Sequence, residues 1–177
     1  MVDLYRMPKP NINLIPPFYQ RYINAVPSDD LIPALITGGN TTADLFRTIP
    51  ETLADYCYEE GKWSTRQVIN HMMDAERVFC YRALTFSRND RTELPGFDEN
   101  SWTPRANASG RKLSKLIDEY LNLRASTVDL FSSFTEEMLD REGTASGVKM
   151  NVATLGFLIA GHEQHHCKIL TERYFSN

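Results

Sequence analysis

Three of the four histidines in this 177-residue chain stand within five positions, in the run Gly161-His162-Glu163-Gln164-His165-His166-Cys167. On a helix turning about 100° per residue, His162 and His166 lie about 40° apart, in the middle of an apolar face marked by Leu155, Leu158, Ile159 and Ile169. His165 falls at the edge of that face, and Cys167 points well away. Two imidazoles one turn apart, aimed into a helical core, form a natural metal chelate. His71, the remaining histidine, also lies on an apolar helical face, among Val68, Ala75, Val78 and Phe79. One histidine from one helix and two from another offer three nitrogen ligands and leave a position open, the arrangement of a catalytic rather than a structural zinc site. Water there ionises near neutral pH, and a thiol is held as thiolate. The competing reading makes each histidine a core residue bonded to a neighbour. The pairing weighs against it, because two imidazoles buried side by side without a shared partner are costly.

Other patterns share these residues. His162-Glu163-x-x-His166 spells the HExxH string of zinc metalloproteases, in which the Glu activates water. The eleven residues after His166 are expected to leave little room for a further ligand. Glu172 has the right spacing for one, but Ile169 stands where a glycine would let the helix turn. Glu163 is kept as a candidate catalytic base or supporting group, against the plain reading of a solvated helix face. Glu163-x-x-His166 is also half of a di-iron bundle motif, but the chain has no second Glu-x-x-His. No GxSxG occurs, and Gly38-Gly39 is not followed by a phosphate-loop Lys. Trp63 and Trp102 read as packing anchors.

The elements that must position these residues read as helices. Residues 1–27 hold five of the nine prolines and are expected to be an irregular leader packed on a domain spanning 28–177. Ser28-Asp29-Asp30 can cap a first helix, with Gly38-Gly39 able to kink or split it before Pro50. Ser64-Thr65-Arg66-Gln67 fits a capping box opening a second helix that runs to about Ser87. Residues 88–108, with Pro95, Gly96 and Pro104, read as a long loop that shapes any pocket. A third helix is expected from about Ser109 to Phe134, then a connection over 135–150 with a turn at Gly143–Gly147. Asn151 caps a fourth helix reaching about Tyr174. No window alternates as a strand does, so the fold class is all-α, a four-helix bundle.

Nineteen Lys+Arg against 23 Asp+Glu give a net charge of −4, which argues against a nucleic-acid partner. No apolar run approaches the roughly 18 residues that would span a membrane. Three cysteines without CxxC spacing point to reduced thiols. The N-terminus lacks the pattern of a signal peptide, so a cytoplasmic location is expected.

Three segments carry a family resemblance. Gly61-Lys62-Trp63-Ser64 leading through His71 to Glu76 resembles the second-helix signature of the DinB-like superfamily. Gly161 to His166 with Ile169-Leu170 resembles its fourth-helix signature, and Leu94 to Trp102 is similar to the loop after its second helix. The resemblance spans about residues 28–175. It implies a bundle of the DinB/YfiT-like type binding one divalent metal, zinc or nickel most often and iron as a further candidate, on His71, His162 and His166. It also implies a homodimer, and either a thiol-dependent S-transferase acting on a small thiol and an electrophilic small molecule or a metal-dependent hydrolase. A non-catalytic metal-binding stress protein is a third reading of the same bundle.

Overall fold

The computed structural model describes residues 7–175. The start of the Pro-rich leader, residues 1–6, therefore lies outside the described residues. The rest of the leader is more regular than expected. After a 3-10 turn at Ile12–Leu14, residues Pro17–Ala25 form helix α1. Pro17 occupies the first helical position, where its missing N–H is no loss and its fixed φ is already helical. The prolines here are punctuation, not evidence against a helix.

Helix α2, Leu31–Thr48, runs unbroken through Gly38-Gly39. Helix α3, Thr65–Ser87, opens with the expected capping box: Ser64 Oγ accepts from the Gln67 N–H, and Gln67 Oε1 accepts from the Ser64 N–H at 2.8 Å. The loop that follows carries a four-residue helix α4, Glu99–Trp102. Helix α5 spans Leu113–Ser132 and the short α6 spans Glu136–Asp140. Helix α7, Val152–Ile169, starts at the expected cap, where Asn151 Oδ1 accepts from the Thr154 N–H at 2.9 Å, and continues as a π-helical turn over Leu170–Tyr174. No helix among the described residues is long and apolar enough to cross a membrane.

The connection before α7 corrects the reading that there is no strand. Strands β1, Glu142–Ala145, and β2, Val148–Asn151, pair antiparallel with Glu142 opposite Asn151 and Ala145 opposite Val148. Ser146 and Gly147 make the turn with φ of 55° and 72°, the double positive φ that suits a two-residue hairpin. Four residues per strand are too few for alternation to register in sequence. The hairpin holds the 88–108 loop in place: the Leu94 N–H donates to Thr144 O at 2.9 Å, and the Ser146 N–H donates to Leu94 O at 3.0 Å.

The long helices follow one another around the bundle in the order α2, α7, α3, α5, with α1 laid across α7. The two histidine-bearing helices, α3 and α7, are therefore direct neighbours. The apolar core falls into two clusters, one containing Leu35, Phe79, Phe131 and Leu155, the other containing Phe46, Ile69, Leu116 and Leu170. Between them lies a buried polar layer. Arg124 on α5 donates from Nε and Nη2 to the Glu76 carboxylate of α3, both at 2.9 Å, and from Nη1 to Leu35 O of α2 at 3.0 Å. Its Nη1 also pairs with Glu163 of α7. Thr127 and Thr42 donate to Glu76 and Glu163, at 2.6 and 2.5 Å. All four long helices meet in this layer. It also explains Gly38-Gly39: a Cβ on Gly39 would stand 2.8 Å from Arg124 Cγ and one on Gly38 would stand 3.3 Å from Glu163 Oε1, so the glycines make room for this ion pair within a continuous helix.

Removing one member of a buried ion cluster strands the others, which costs about 3–5 kcal/mol. Arg124→Ala is expected to lose that much stability in urea unfolding. Arg47→Ala, which breaks an exposed pair with Asp44, is expected to lose less than about 0.5 kcal/mol. Equal losses from the two variants would refute the account of the polar layer.

Candidate metal centre

His71 projects from α3, and His162 and His166 from α7, one turn apart. Their Nε2 atoms converge: His162 Nε2 is 3.2 Å from that of His71 and 3.1 Å from that of His166. One ligand nitrogen from each ring lies within 4.8 Å of the others. Nitrogens bound to one tetrahedral zinc at about 2.0–2.1 Å stand about 3.3–3.4 Å apart, so this spacing suits a shared ion. Hydrogen bonding alone suits it poorly. An Nε2 carries either one hydrogen or one lone pair and makes one good bond, not two. A cation accepts all three lone pairs at once. The residues present therefore fit a divalent metal, with a nitrogen donor set that zinc, nickel, iron or copper could use.

The rings are aimed mainly by packing. The Trp63 ring lies 4.8 Å from that of His71, and Tyr174 fixes the chain there by donating to Trp63 O at 2.6 Å. Tyr22 of α1 stands 5.8 Å from the His162 ring and 5.3 Å from that of His165. Helix α1 reaches this close because α7 has a glycine there: a Cβ on Gly161 would stand 2.0 Å from Tyr22 O. His166 Nδ1 is buried and has no hydrogen-bond partner among the described residues.

Burial keeps the imidazoles neutral. It pushes His71 down to about 4 and His162 to about 3, the latter helped by the charges of His71, His165 and Arg21. His166 is held well below the usual histidine range, again first by burial. Neutral rings are the form that ligates a metal.

Glu163 stands outside the cluster of three rings. It is neither a free base nor a solvated residue. It is 3% exposed, and its carboxylate is held by Arg124 and Thr42 on the interior side of α7. Burial pushes its carboxyl upward, against the pull of Arg124. Cys167 bonds Thr42 at 3.2 Å, and burial drives its thiol up to about 12, which leaves it inert. His165 lines the cavity above the three rings without joining the cluster. Trp102 is half exposed and packs against Phe97, the ring centroids 5.0 Å apart and the planes tilted by 40°.

That cavity, about 370 Å³, has the imidazoles as its floor. Its walls include residues that sequence reasoning missed: Phe18, Arg21 and Tyr22 of α1, and Arg82 of α3. Phe97 and Glu99 enter it from the 88–108 loop. A helix inside the proline-rich segment was the signal needed for the first three. A charged residue three turns beyond His71 on the same face was the signal for Arg82.

Comparison with known proteins places this architecture. Residues 34–170 match the DinB superfamily. A candidate metal-dependent hydrolase of Oceanobacillus iheyensis is 31% identical over 113 residues, covering 62% of this chain and 63% of that protein. A similarly named protein of Geobacillus thermodenitrificans is 29% identical over 113 residues, covering 62% of each chain. The match thus spans less than two thirds of the length of these curated relatives. Among solved structures, YfiT from Bacillus subtilis, described as a candidate metal-dependent hydrolase with an unusual four-helix bundle topology, superposes with a TM-score of 0.70 at 19% identity, covering 80% of this chain and 82% of that one. A DinB-like protein of Bacillus subtilis, YjoA, gives 0.57 at 24% identity, covering 80% and 86%. Both likenesses show the fold.

The neutral, buried rings predict a pH dependence. Unfolded imidazoles take up protons below about 6.5, while the folded ones refuse them until about 4 and 3. The unfolded state then binds more protons, so metal-free protein loses stability as the pH falls from about 6.5 towards 4. The slope approaches about 1.4 kcal/mol per pH unit for each ring. Urea unfolding of chelator-treated protein at pH 7.5, 6 and 5 measures this, and His71→Asn should flatten it. A variant with the parent's slope would contradict the assignment. With the family match covering well over half its length, the chain belongs to the DinB superfamily.

Proposed function

We propose that the protein is a metal-dependent enzyme that activates a low-molecular-weight thiol at His71, His162 and His166 and transfers it to an electrophilic small molecule. A divalent metal on these rings, zinc or nickel first and iron as a further candidate, would supply a Lewis-acid position at which a thiol or water loses its proton near neutral pH. The observation that carries transfer over hydrolysis is the placement of Glu163. With its carboxylate tied to Arg124 and Thr42, no acid joins the three imidazoles among the described residues. Hydrolysis gains from a positioned base, whereas a thiolate is already a strong nucleophile. The chain's own residues bind and shield. Trp63, Tyr22 and Phe79 pack around the rings and limit water, and the cavity is large enough for a small thiol beside its acceptor.

Hydrolysis is the second reading. The names of the curated relatives favour it, and so does Glu99, an exposed carboxylate in the cavity wall that could work through an intervening water.

The test uses zinc-loaded protein with glutathione or cysteine and 1-chloro-2,4-dinitrobenzene, following conjugate formation, alongside p-nitrophenyl acetate without thiol. Thiol-dependent conjugation is expected. His162→Ala should lose stoichiometric zinc and at least about 100-fold in rate. Ester hydrolysis without thiol dependence, lost in Glu99→Gln, would decide for the hydrolase. Full zinc binding with neither turnover would identify a non-catalytic metal binder.

A further inference from the structure

The cavity above the histidines contains two positive charges that the proposed chemistry does not use. Arg82 is 3% exposed, yet it forms no ion pair among the described residues. Its Nη2 donates to Pro95 O at 3.0 Å and to Ser146 Oγ at 2.9 Å. Its Nε and Nη1 have no acceptor among the described residues, and the side chain lines the cavity. A buried guanidinium without a carboxylate is unusual, because burying an unpaired charge is expensive. The other buried arginines among the described residues, Arg66 and Arg124, each have two carboxylates. Arg82 is also held firmly, since its two acceptors come from the loop and the hairpin that Leu94 joins. Arg21, on α1, stands at the mouth of the same cavity, with its guanidinium carbon 4.4 Å from the Phe18 ring and 4.7 Å from the Tyr22 ring. It too has no ion pair among the described residues. The acid in this wall, Glu99, is exposed and pairs with neither arginine.

The space between the arginine and the imidazoles is aromatic. The Phe79 ring lies 5.8 Å from the Arg82 guanidinium carbon and 6.1 Å from the His162 ring. Phe97 and Tyr22 flank it. Arg82 follows His71 by eleven residues, about three helical turns, so both lie on one face, and its side chain leans back towards the helix N-terminus and the histidines.

We propose that this cavity selects a small carboxylate with a flat apolar body, the carboxylate on Arg82 with Arg21 at the entrance, and the body laid along Phe79 above the three-histidine centre. A planar guanidinium with free donors matches a carboxylate's geometry and gains strength in a dry site. The proposal rests on the reading of the histidines as the reactive centre, because it names the substrate class that centre faces. Helix α1, which carries Arg21 and Phe18 to the entrance, lies N-terminal to residues 34–170, the family-matching segment.

The test is calorimetric titration of the full chain with 3-phenylpropionate and its neutral isostere 3-phenylpropionamide, with zinc bound and after chelation. The acid should bind at least about tenfold tighter than the amide in both forms, as one charged hydrogen-bonded contact implies. Arg82→Gln should erase that preference while leaving zinc stoichiometry unchanged, and Arg21→Gln should reduce it in part. Equal binding of acid and amide overturns the proposal. So does a preference that survives Arg82→Gln or appears only with zinc, since the acid would then sit on the metal. If Arg82→Gln does not fold, Arg21→Gln and the comparison in metal-free parent protein decide. A chain that binds no zinc yet prefers the acid through Arg82 would refute the metal reading and leave the carboxylate subsite standing.

Discussion

Everything at the site depends on one buried guanidinium. Arg124 is 5% exposed and binds two carboxylates, Glu76 of α3 and Glu163 of α7, along with a carbonyl of α2. Burial works against its charge, and the two acids hold it charged nonetheless. Ionic groups this deep are tolerated only in good geometry, so the layer accepts few arrangements of the four helices. Glu163 adjoins His162, and Glu76 lies five residues beyond His71. Fixing the acids therefore fixes how far α3 and α7 are rotated about their own axes. That rotation turns three imidazoles towards one point. Hydrophobic packing alone would constrain it less, because an apolar face tolerates small rotations and repacking.

The same layer accounts for what surrounds the rings. It separates two apolar clusters, and the histidines sit at its edge, where α1 crosses α7. Glycine appears on both sides of the arrangement. Gly39 admits Arg124 beneath the site, and Gly161 admits the backbone of α1 above it. The two close approaches have different results. One draws the bundle together, and the other brings Phe18, Arg21 and Tyr22 over the cavity.

Much of this could be read in the sequence because it rests on local rules. The capping box at Ser64, the Asn151 cap, and the spacing of His162 and His166 are set within a few residues. So is the agreement of His71 with its apolar face. What escaped notice was decided by partners far along the chain. Arg124 lies on the apolar face of α5 with Tyr120 and Thr127, an anomaly visible in sequence, but its two acids are 48 and 39 positions away and cannot be paired by spacing. The hairpin strands are too short to alternate. Helix α1 was obscured by its prolines, whose position at the first turn favours the helix they seemed to forbid. Arg82 could be seen as a charge on the His71 face, but that it lacked a counter-ion could be seen only in the fold.

The letters His-Glu-x-x-His show how far the fold governs chemistry. On any helix, the Glu of this string stands about 100° from the first His and about 60° from the second. Whether it serves as a base depends on what occupies the sector it faces. In this bundle that sector is the interior, and Arg124 already fills it. Swinging the Glu163 carboxylate towards the imidazoles would break a buried pair and leave Arg124 short of an acid, at a cost of about 3–5 kcal/mol. At about 1.4 kcal/mol per factor of ten, that conformer holds less than about 1% of the molecules. A base available so rarely would forfeit most of the advantage of general-base catalysis, itself about 10²–10⁴-fold. The string is therefore divided between two tasks: its histidines face the cavity, and its glutamate helps to hold them there.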